Sequence, residues 1–500
     1  MTVMENLSLL ERLSTGKAAP EHRPWPRFEV TKKTWEELAA GLGDHIDMMG
    51  LWADKTHIHM ALFEPSSGAF AVASLAVEDN KYPSISRRHP PAMRLERTIR
   101  DLFVHEPSGL PDTRPWLDHG NLIETDRPLK PYRFLPAEGR GVHEIPVGPV
   151  HAGIIEPGHF RFTVNGETVV RLEQRLGYVH KGIEKLLEGK DVESGAKLCA
   201  RVSGDSTVAY SIAYARAVEA ALSIKPPARA DWLRALMAEL ERLANHFGDI
   251  GAVCNDASFA LLHAYAGILR EDVLRAANAC FGHRLMMDRV TPGGVVSDLS
   301  DEGKGVLYRL ISSLAERFDE IADAYDNTAS LKDRTWGTGI LPPDLARQYA
   351  AGGVIGRASK RSFDSRKSLP YPPYDQLEFS VPTVNAGDVN ARIWIRLQEV
   401  KQSLSLVRQI LDAVPRGDFR RDLPKRFAGE REGMGVVEGF RGDILVWLRL
   451  AEDGRLIRCH PRDPSWFQWP LLEAVVKDNI VADFPLCNKS FNCSYSGHDL

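Results

Sequence analysis

Apolar positions recur at steps of three and four along three long stretches, the spacing that holds them on one face of an α-helix. Trp232, Leu233, Leu236, Leu240, Leu243 and Phe247 form the first stripe. Leu307, Leu310, Ile311, Leu314, Phe318 and Ile321 form the second, and Ile393, Leu397, Val400, Leu404, Val407 and Leu411 the third. These predict helices sharing a bundle core. The first 116 residues read differently. Thr34 is placed to cap a helix beginning Trp35-Glu36-Glu37-Leu38. Ile58, Met60 and Leu62 alternate with polar or small neighbours, as on a half-buried strand. A turn follows at Pro65-Ser66-Ser67-Gly68, and residues 70–77 read as a second strand. Pro90 and Pro91 open a helix that runs through Glu96 to Phe103. Residues 117–147, rich in Pro, Gly and charge, read as an extended linker. Residues 444–448 and 456–458 flank Asp453-Gly454, a hairpin signal. The fold expected is α+β: a small α/β-sandwich-like domain over 1–116, and over 148–500 a large, mainly helical domain with peripheral β-hairpins.

Five hundred residues exceed one compact domain. A hydrophobic content of 43% and a charged content of 26% are those of an ordinary globular protein. The formal net charge of −4 gives no basic footprint for nucleic acid. Cysteines stand at 199, 254, 280, 459, 487 and 493, and no two make a C-x-x-C pair, which excludes a zinc knuckle and a thioredoxin motif. Scattered thiols suit a reducing compartment. Residues 1–20 lack the apolar segment of a signal peptide. No apolar run approaches the roughly 20 residues that cross a bilayer, so membrane attachment is expected through partners. No Gly-rich loop follows a strand, so direct NAD binding is not expected.

Two longer segments carry a family resemblance. One runs from Pro149-Val150-His151-Ala152-Gly153 through Glu156-Pro157-Gly158-His159-Phe160 to Tyr178-Val179-His180-Lys181-Gly182-Ile183-Glu184-Lys185. The other comprises the loops Arg201-Val202-Ser203-Gly204-Asp205-Ser206 and Ser490-Phe491-Asn492-Cys493-Ser494-Tyr495-Ser496-Gly497. Together they resemble the large subunit of membrane-bound, energy-converting nickel–iron hydrogenases of the formate hydrogenlyase type. They are also similar to the homologous quinone-pocket subunit of respiratory complex I. Glu96-Arg97, Asp101-Leu102-Phe103 and Pro111-Asp112 resemble the smaller complex I partner, so two such subunits look fused. The resemblance covers about residues 25–115 and 145–500 and implies a hydrogenase large-subunit-like second domain.

In that family, four cysteine thiolates hold the nickel–iron centre, a soft site that a neutral hydroxyl does not serve. Here Ser203 and Ser206 match the first pair. Ser494 and Gly497 match the second, or Cys493 and Ser496 do if the alignment shifts by one. At most one ligand survives, which argues against a nickel–iron centre, and Cys199 reads as a small core hydrophobe. The resemblance gives other residues roles. Glu184 matches the hydrogenase proton-relay carboxylate. A buried carboxylate there is expected to have a raised pKa; the plainer reading pairs it with Lys181 or Lys185. His151 or His159 matches the complex I histidine that meets a quinone headgroup, against a plain backbone hydrogen bond in a tight turn. Val192 stands where that pocket uses a tyrosine. Arg201, Asp205, Ser203 and Ser206 are expected to fill the vacated site with a polar network, with Asp205 and Ser206 capping the next helix.

The function expected is a subunit of a membrane-associated oxidoreductase complex. It would couple electron transfer from a neighbouring iron–sulfur subunit to ion translocation, beside membrane-embedded antiporter-like and anchor subunits, on the cytoplasmic side of the cytoplasmic membrane. The chain itself is expected to bind no cofactor, with room for a quinone-like ligand. The alternative is a catalytically dead scaffold for assembly; an active hydrogenase is disfavoured. An open cavity near His151, Glu184 and Asp205 would favour the first reading, a closed one the second.

Overall fold

A computed structural model describes residues 7–120, 132–152, 155–424 and 426–500. Parts of the leader and linker readings (1–6 and 121–131) lie outside the described residues, as do Gly153 and Ile154 of the quoted segment.

The front of the chain contributes β1 (Lys17–Ala18), β2 (His22–Arg23), β3 (Arg27–Glu29), β4 (Asp47–Ala53), β5 (His57–Glu64) and β6 (Ala69–Ala76). All but β2 form one sheet, in the order β1-β3-β6-β5-β4. The two strands read at 58–62 and 70–77 are therefore present, as neighbours in antiparallel register with Met60 opposite Ala73. The half-buried expectation for β5 fails, because this strand is covered on both faces. Ile58, Met60 and Leu62 join the main core. Ala61 and Phe63 join a second cluster built from Trp52, Phe70, Met434, Val436, Leu445 and Trp447, so the sheet is sandwiched between the helical body and strands from the far end of the chain. The helix expected at Trp35 spans Lys32–Ala40, and its cap is Thr31, whose hydroxyl accepts from the Thr34 amide at 3.2 Å. The cap thus lies three residues before the one expected. Pro90–Ala92 form a short 3₁₀ turn leading into the Met93–Phe103 helix, as the prolines imply. A short parallel pair, β7 (Lys81–Pro83) and β8 (Glu106–Ser108), brackets it.

Part of the segment read as a linker is a strand: β9 (Val142–Val147) pairs with β10 (His159–Asn165), which pairs with β11 (Thr168–Arg175). Pro and charge hid it, because β9 is an edge strand, where a proline is tolerated and one face stays wet.

The three apolar stripes are helices over Ala228–Asp256, Asp301–Asn327 and Val389–Ala413. The first packs on Val389–Ala413 and on the intervening Ala260–Phe281 helix. Two small strands, β12 (Val290–Thr291) and β13 (Gly294–Val295), pair beside this bundle. The closing sheet contains β14 (Arg431–Gly439), β15 (Gly442–Leu450) and β16 (Leu456–Arg462). β15 and β16 are the hairpin signalled by Asp453-Gly454, with Gly454 in the left-handed region at φ 81°. β14 has no counterpart in the pattern reading; it also pairs in parallel with β2, tying the front of the chain to its end. The Thr207–Leu222 helix lies directly on β14. Gly433 and Gly435 permit that approach, because a Cβ on either would run into the carbonyl oxygens of Ala217 and Ala213. Gly433→Ala is expected to cost about 1–3 kcal/mol or more through this overpacking; thermal unfolding beside wild type checks it, and an unchanged midpoint would show that the helix shifts freely.

Candidate functional site

The two degenerate ligand loops, nearly three hundred residues apart in sequence, meet in the fold. Gly204–Ser206 is a single 3₁₀ turn feeding the Thr207–Leu222 helix, and Ser494 caps the Tyr495–Asp499 helix by accepting from the Gly497 amide at 2.9 Å. The Ser203 and Ser494 hydroxyls are 3.1 Å apart, and Ser496 Oγ is 3.5 Å from Ser494 Oγ. Ser494, not Cys493, is therefore the residue whose side chain faces the first loop, the placement that the unshifted alignment implies. The Cys493 thiol is turned towards Gln468, 4.0 Å from its Oε1, and burial pushes its pKa up. Gly497 packs against the Asp463 carboxylate, where a Cβ would collide. Cys199 is fully buried, as read.

Asp205 organises the site. Its Oδ1 accepts from Ser203 Oγ at 2.8 Å and from Ser206 Oγ at 3.3 Å. Arg441, at the β14–β15 turn, grips both oxygens at 2.7 and 2.6 Å, the bidentate geometry in which guanidinium binds carboxylate best. Burial acts to raise the Asp205 pKa, but Arg441 outweighs it and holds the carboxyl below its usual range. The polar network expected here is present with a different arginine. Arg201 points outward and pairs with Asp288, at 2.7 Å between Nη2 and Oδ2. The capping expectation holds only for position: Ser206 stands at the N-cap of the Thr207–Leu222 helix, but no side-chain cap hydrogen bond is made there. Glu241 satisfies the helix start from the next helix, accepting from the Val208 and Ala209 amides at 2.7 and 3.1 Å, two of the N–H groups that have no partner within the helix. Burial pushes the Glu241 pKa up to about 8 against those bonds. Asn245 Nδ2 donates to the Asp205 carbonyl at 2.8 Å, and a crevice lined by Glu241, Asn245, Arg270 and Met286 opens beside it.

Glu184 belongs to a different constellation. Arg458 Nη2 donates to its Oε2 at 2.6 Å and His460 Nδ1 to its Oε1, both from β16. Burial would raise its pKa, but the Arg458 and His460 charges prevail and hold it at about 2. The expected raised pKa is thus reversed, and neither Lys181 nor Lys185 is the partner; Lys185 pairs with Glu188. A carboxylate held this low is ionised at neutral pH and is poorly matched to giving or taking a proton there.

His151 and His159 lie in the turn that runs over the Ser494–Gly497 loop, tied to it by Glu156 Oε2 accepting from the Ser496 amide at 3.1 Å. His151 Nε2 donates to the Gly158 carbonyl at 2.7 Å, and His159 Nδ1 to the Gly148 carbonyl at 3.3 Å. The backbone-bonded reading describes both. His159 Nε2 is buried without a partner among the described residues.

Reasoning from sequence missed Arg441, Arg458, His460 and Glu241. The available signal was charge where none belongs: Arg458, His460 and Arg462 alternate along a strand that is otherwise buried.

The donor set does not fit a nickel–iron centre. The four positions offer three hydroxyls and a glycine, the nearest thiol faces away, and a guanidinium is committed to the carboxylate between the loops. Among the described residues no group of three His, Cys, Asp or Glu is arranged to hold a metal ion, and no helix is long and apolar enough to cross a membrane.

Comparison with known proteins agrees with this geometry. Residues 256–435 match the family of the respiratory-chain NADH dehydrogenase 49 kDa subunit, and residues 181–248 match the nickel-dependent hydrogenase family. The chain is 31% identical to formate hydrogenlyase subunit 5 of Escherichia coli, over 89% of this chain and 83% of that one. It is also 31% identical to a subunit of the NADH-quinone oxidoreductase of Dehalococcoides mccartyi, over 67% of this chain and 92% of that one. In structure it resembles a chain of the membrane-bound sulfane sulfur reductase, an archaeal respiratory membrane complex, with a TM-score of 0.68 at 25% identity over 72% of this chain and 99% of that one. A chain that keeps the two loops in contact, matches a segment of each family model, and is 31% identical to formate hydrogenlyase subunit 5 over 89% of its length belongs to the family that unites the large subunits of membrane-bound nickel–iron hydrogenases with the 49 kDa-type subunit of respiratory NADH dehydrogenase.

Proposed function

We propose that this chain is a subunit of a membrane-bound, complex I-like oxidoreductase complex. It couples electron transfer from a neighbouring iron–sulfur subunit to ion translocation without a nickel–iron centre of its own. The observation that carries the reading is the Asp205–Arg441 pair set between Ser203, Ser206 and Ser494. A preorganised charged pair is what responds when charge changes on a nearby redox group, because low surrounding dielectric strengthens the field it feels. Asp205 keeps 37% side-chain exposure, so the pair borders open space and is not sealed in a core. That favours a working site over a closed scaffold. Glu184, held as a permanent anion, serves to anchor Arg458 and His460, and the chain sits peripherally, on the cytoplasmic side, through its iron–sulfur and membrane-embedded partners.

The complex isolated with its neighbouring subunits is expected to contain iron and sulfide but no stoichiometric nickel, and to move ions across a vesicle membrane during electron transfer. One nickel per chain would sink the reading of the serine positions; electron transfer with no ion movement would sink the coupling.

A further inference from the structure

Beneath the site, helices and strands enclose a second ionic cluster that the proposed function does not use. Glu239, Arg242 and His246 come from the Ala228–Asp256 helix and Glu399 from Val389–Ala413. Arg357, Asp364 and Arg366 come from two short helices, Gly353–Ala358 and Ser365–Ser368, and the Asp364 cap, and Glu438 from β14. None is more than 4% exposed. Arg357 donates to Glu399 at 2.7 Å and to Glu438 at 2.9 Å. Arg366 donates to Asp364 at 2.7 Å and to Glu239 at 3.0 Å. Arg242 lies 3.5 Å from Glu239 and 3.7 Å from Glu399, and His246 Nε2 is 2.8 Å from Glu399.

The charges do not balance. Four carboxylates face three guanidiniums. The neighbouring charges are matched or neutral: Asp249 with Arg396, Asp443 with Arg462, Asp205 with Arg441, Arg392, held by backbone carbonyls, with Asp388 as its electrostatic partner, and Glu241 beside Arg242 carrying its own proton at neutral pH with a pKa pushed up to about 8. An uncompensated ion this deeply buried costs several kcal/mol, so the cluster is neutral only when it holds one added proton.

Hydrogen bonding says where that proton sits. A protonated His246 would bury Nδ1–H with no acceptor, since this atom has no partner among the described residues. Asp364 receives bonds only from the Arg366 guanidinium and backbone N–H, which cannot accept in return, and a proton on Glu399 could be given to His246 Nε2 only in the tautomer that buries Nδ1–H without an acceptor. Glu239 has hydroxyl neighbours, Tyr374 and Ser403 at 2.7 Å each, but two guanidiniums flank it and hold its pKa below the usual range. Glu438 differs. Only Arg357 bonds it from the cationic side, and Ser365 Oγ lies 3.1 Å from its Oε2. A hydroxyl can turn from donor to acceptor, so a proton on Oε2 has a partner waiting.

We propose that this cluster is a proton-binding site of capacity one, with the proton held between Glu438 and Ser365. Its place gives it a use. Glu438 and Arg441 flank the same turn, and Phe440 between them packs its ring under the Arg441 guanidinium at 4.4 Å and edge-on to His246 at 6.3 Å. A movement of the Asp205–Arg441 pair therefore pulls on the turn that carries Glu438. Burial and the neighbouring Asp364 push the Glu438 pKa up to about 7, which fits a group poised to take up or release a proton near neutral pH on a modest change of its surroundings.

The test is infrared spectroscopy of the purified complex at neutral pH. Wild type is expected to show carbonyl stretches of buried, protonated carboxylic acids that shift on exchange into D2O, Glu241 among them, with one band belonging to Glu438. Glu438→Gln is expected to lose that band and Ser365→Ala to shift it, while Glu184→Gln leaves it unchanged. Should Glu438→Gln fail to assemble, the Ser365→Ala shift decides alone. No such band in wild type, or a band indifferent to both substitutions, overturns the proposal. The proton count does not depend on ion translocation: absence of the Glu438 band in wild type refutes the store, whereas a normal band in a complex that moves no ions refutes only the coupling.

Discussion

Replacing Arg357 by methionine is expected to destabilise the chain by about 3–5 kcal/mol, the cost of stripping the partner from a buried ion. The reason is geometric. This fully buried guanidinium bonds Glu399, Glu438 and the Phe363 carbonyl at 2.7, 2.9 and 3.1 Å, and lies 3.5 Å from Asp364. Its removal leaves carboxylates from three separate elements facing one another across a dry space. Domain stabilities are only about 5–15 kcal/mol, so the loss shows as a large drop in the unfolding midpoint or as failure to accumulate. It should deepen as pH rises, because protonating the stranded carboxylates relieves the repulsion. A loss under about 1 kcal/mol, the range of an exposed pair, would mean that water or a backbone shift replaces the arginine.

Glu184→Gln should lose about 3 kcal/mol at neutral pH. The folded pKa of about 2 lies below the usual value of 4.5, and a difference of that size is worth roughly 1.4 kcal/mol per unit. The sign follows from the depressed value. The stabilisation is fully present above pH 4.5 and is lost as pH falls towards 2, so the gap between wild type and variant should close over that window. Unfolding measured at several pH values checks it; a gap that stays constant down to pH 2 would show that the carboxylate charge is not what holds Arg458 and His460. Glutamine retains an acceptor, so the loss reports charge more than shape.

Several of these partnerships were half visible in the chain. Glu184 was singled out by its setting in His180-Lys181-Gly182-Ile183-Glu184, yet its nearest lysines misled: helix spacing suggested them, and the fold supplied Arg458 and His460 instead. Arg201 precedes the first loop and was the natural partner for Asp205. In the fold it reaches Asp288, and Arg441 takes its place. In both cases the neighbour along the chain lost to a side chain from the closing sheet or its turn that only tertiary packing brings near.

What the sequence determined by itself is what depends on nearest neighbours. Apolar steps of three and four placed the helices over Ala228–Asp256, Asp301–Asn327 and Val389–Ala413, and Asp453-Gly454 placed the β15–β16 hairpin, since a helix face and a tight turn are each decided within a few residues. The replacement of thiol by hydroxyl at Ser203, Ser206 and Ser494 is likewise written in the chain. Tertiary structure alone decided which charges meet. Arg441 finds Asp205 across 236 residues, and His460 finds Glu184 across 276. No local pattern encodes such pairs, because burial forces every charge to find a partner wherever packing has delivered one, and the same constraint leaves the odd proton in the core beneath the site.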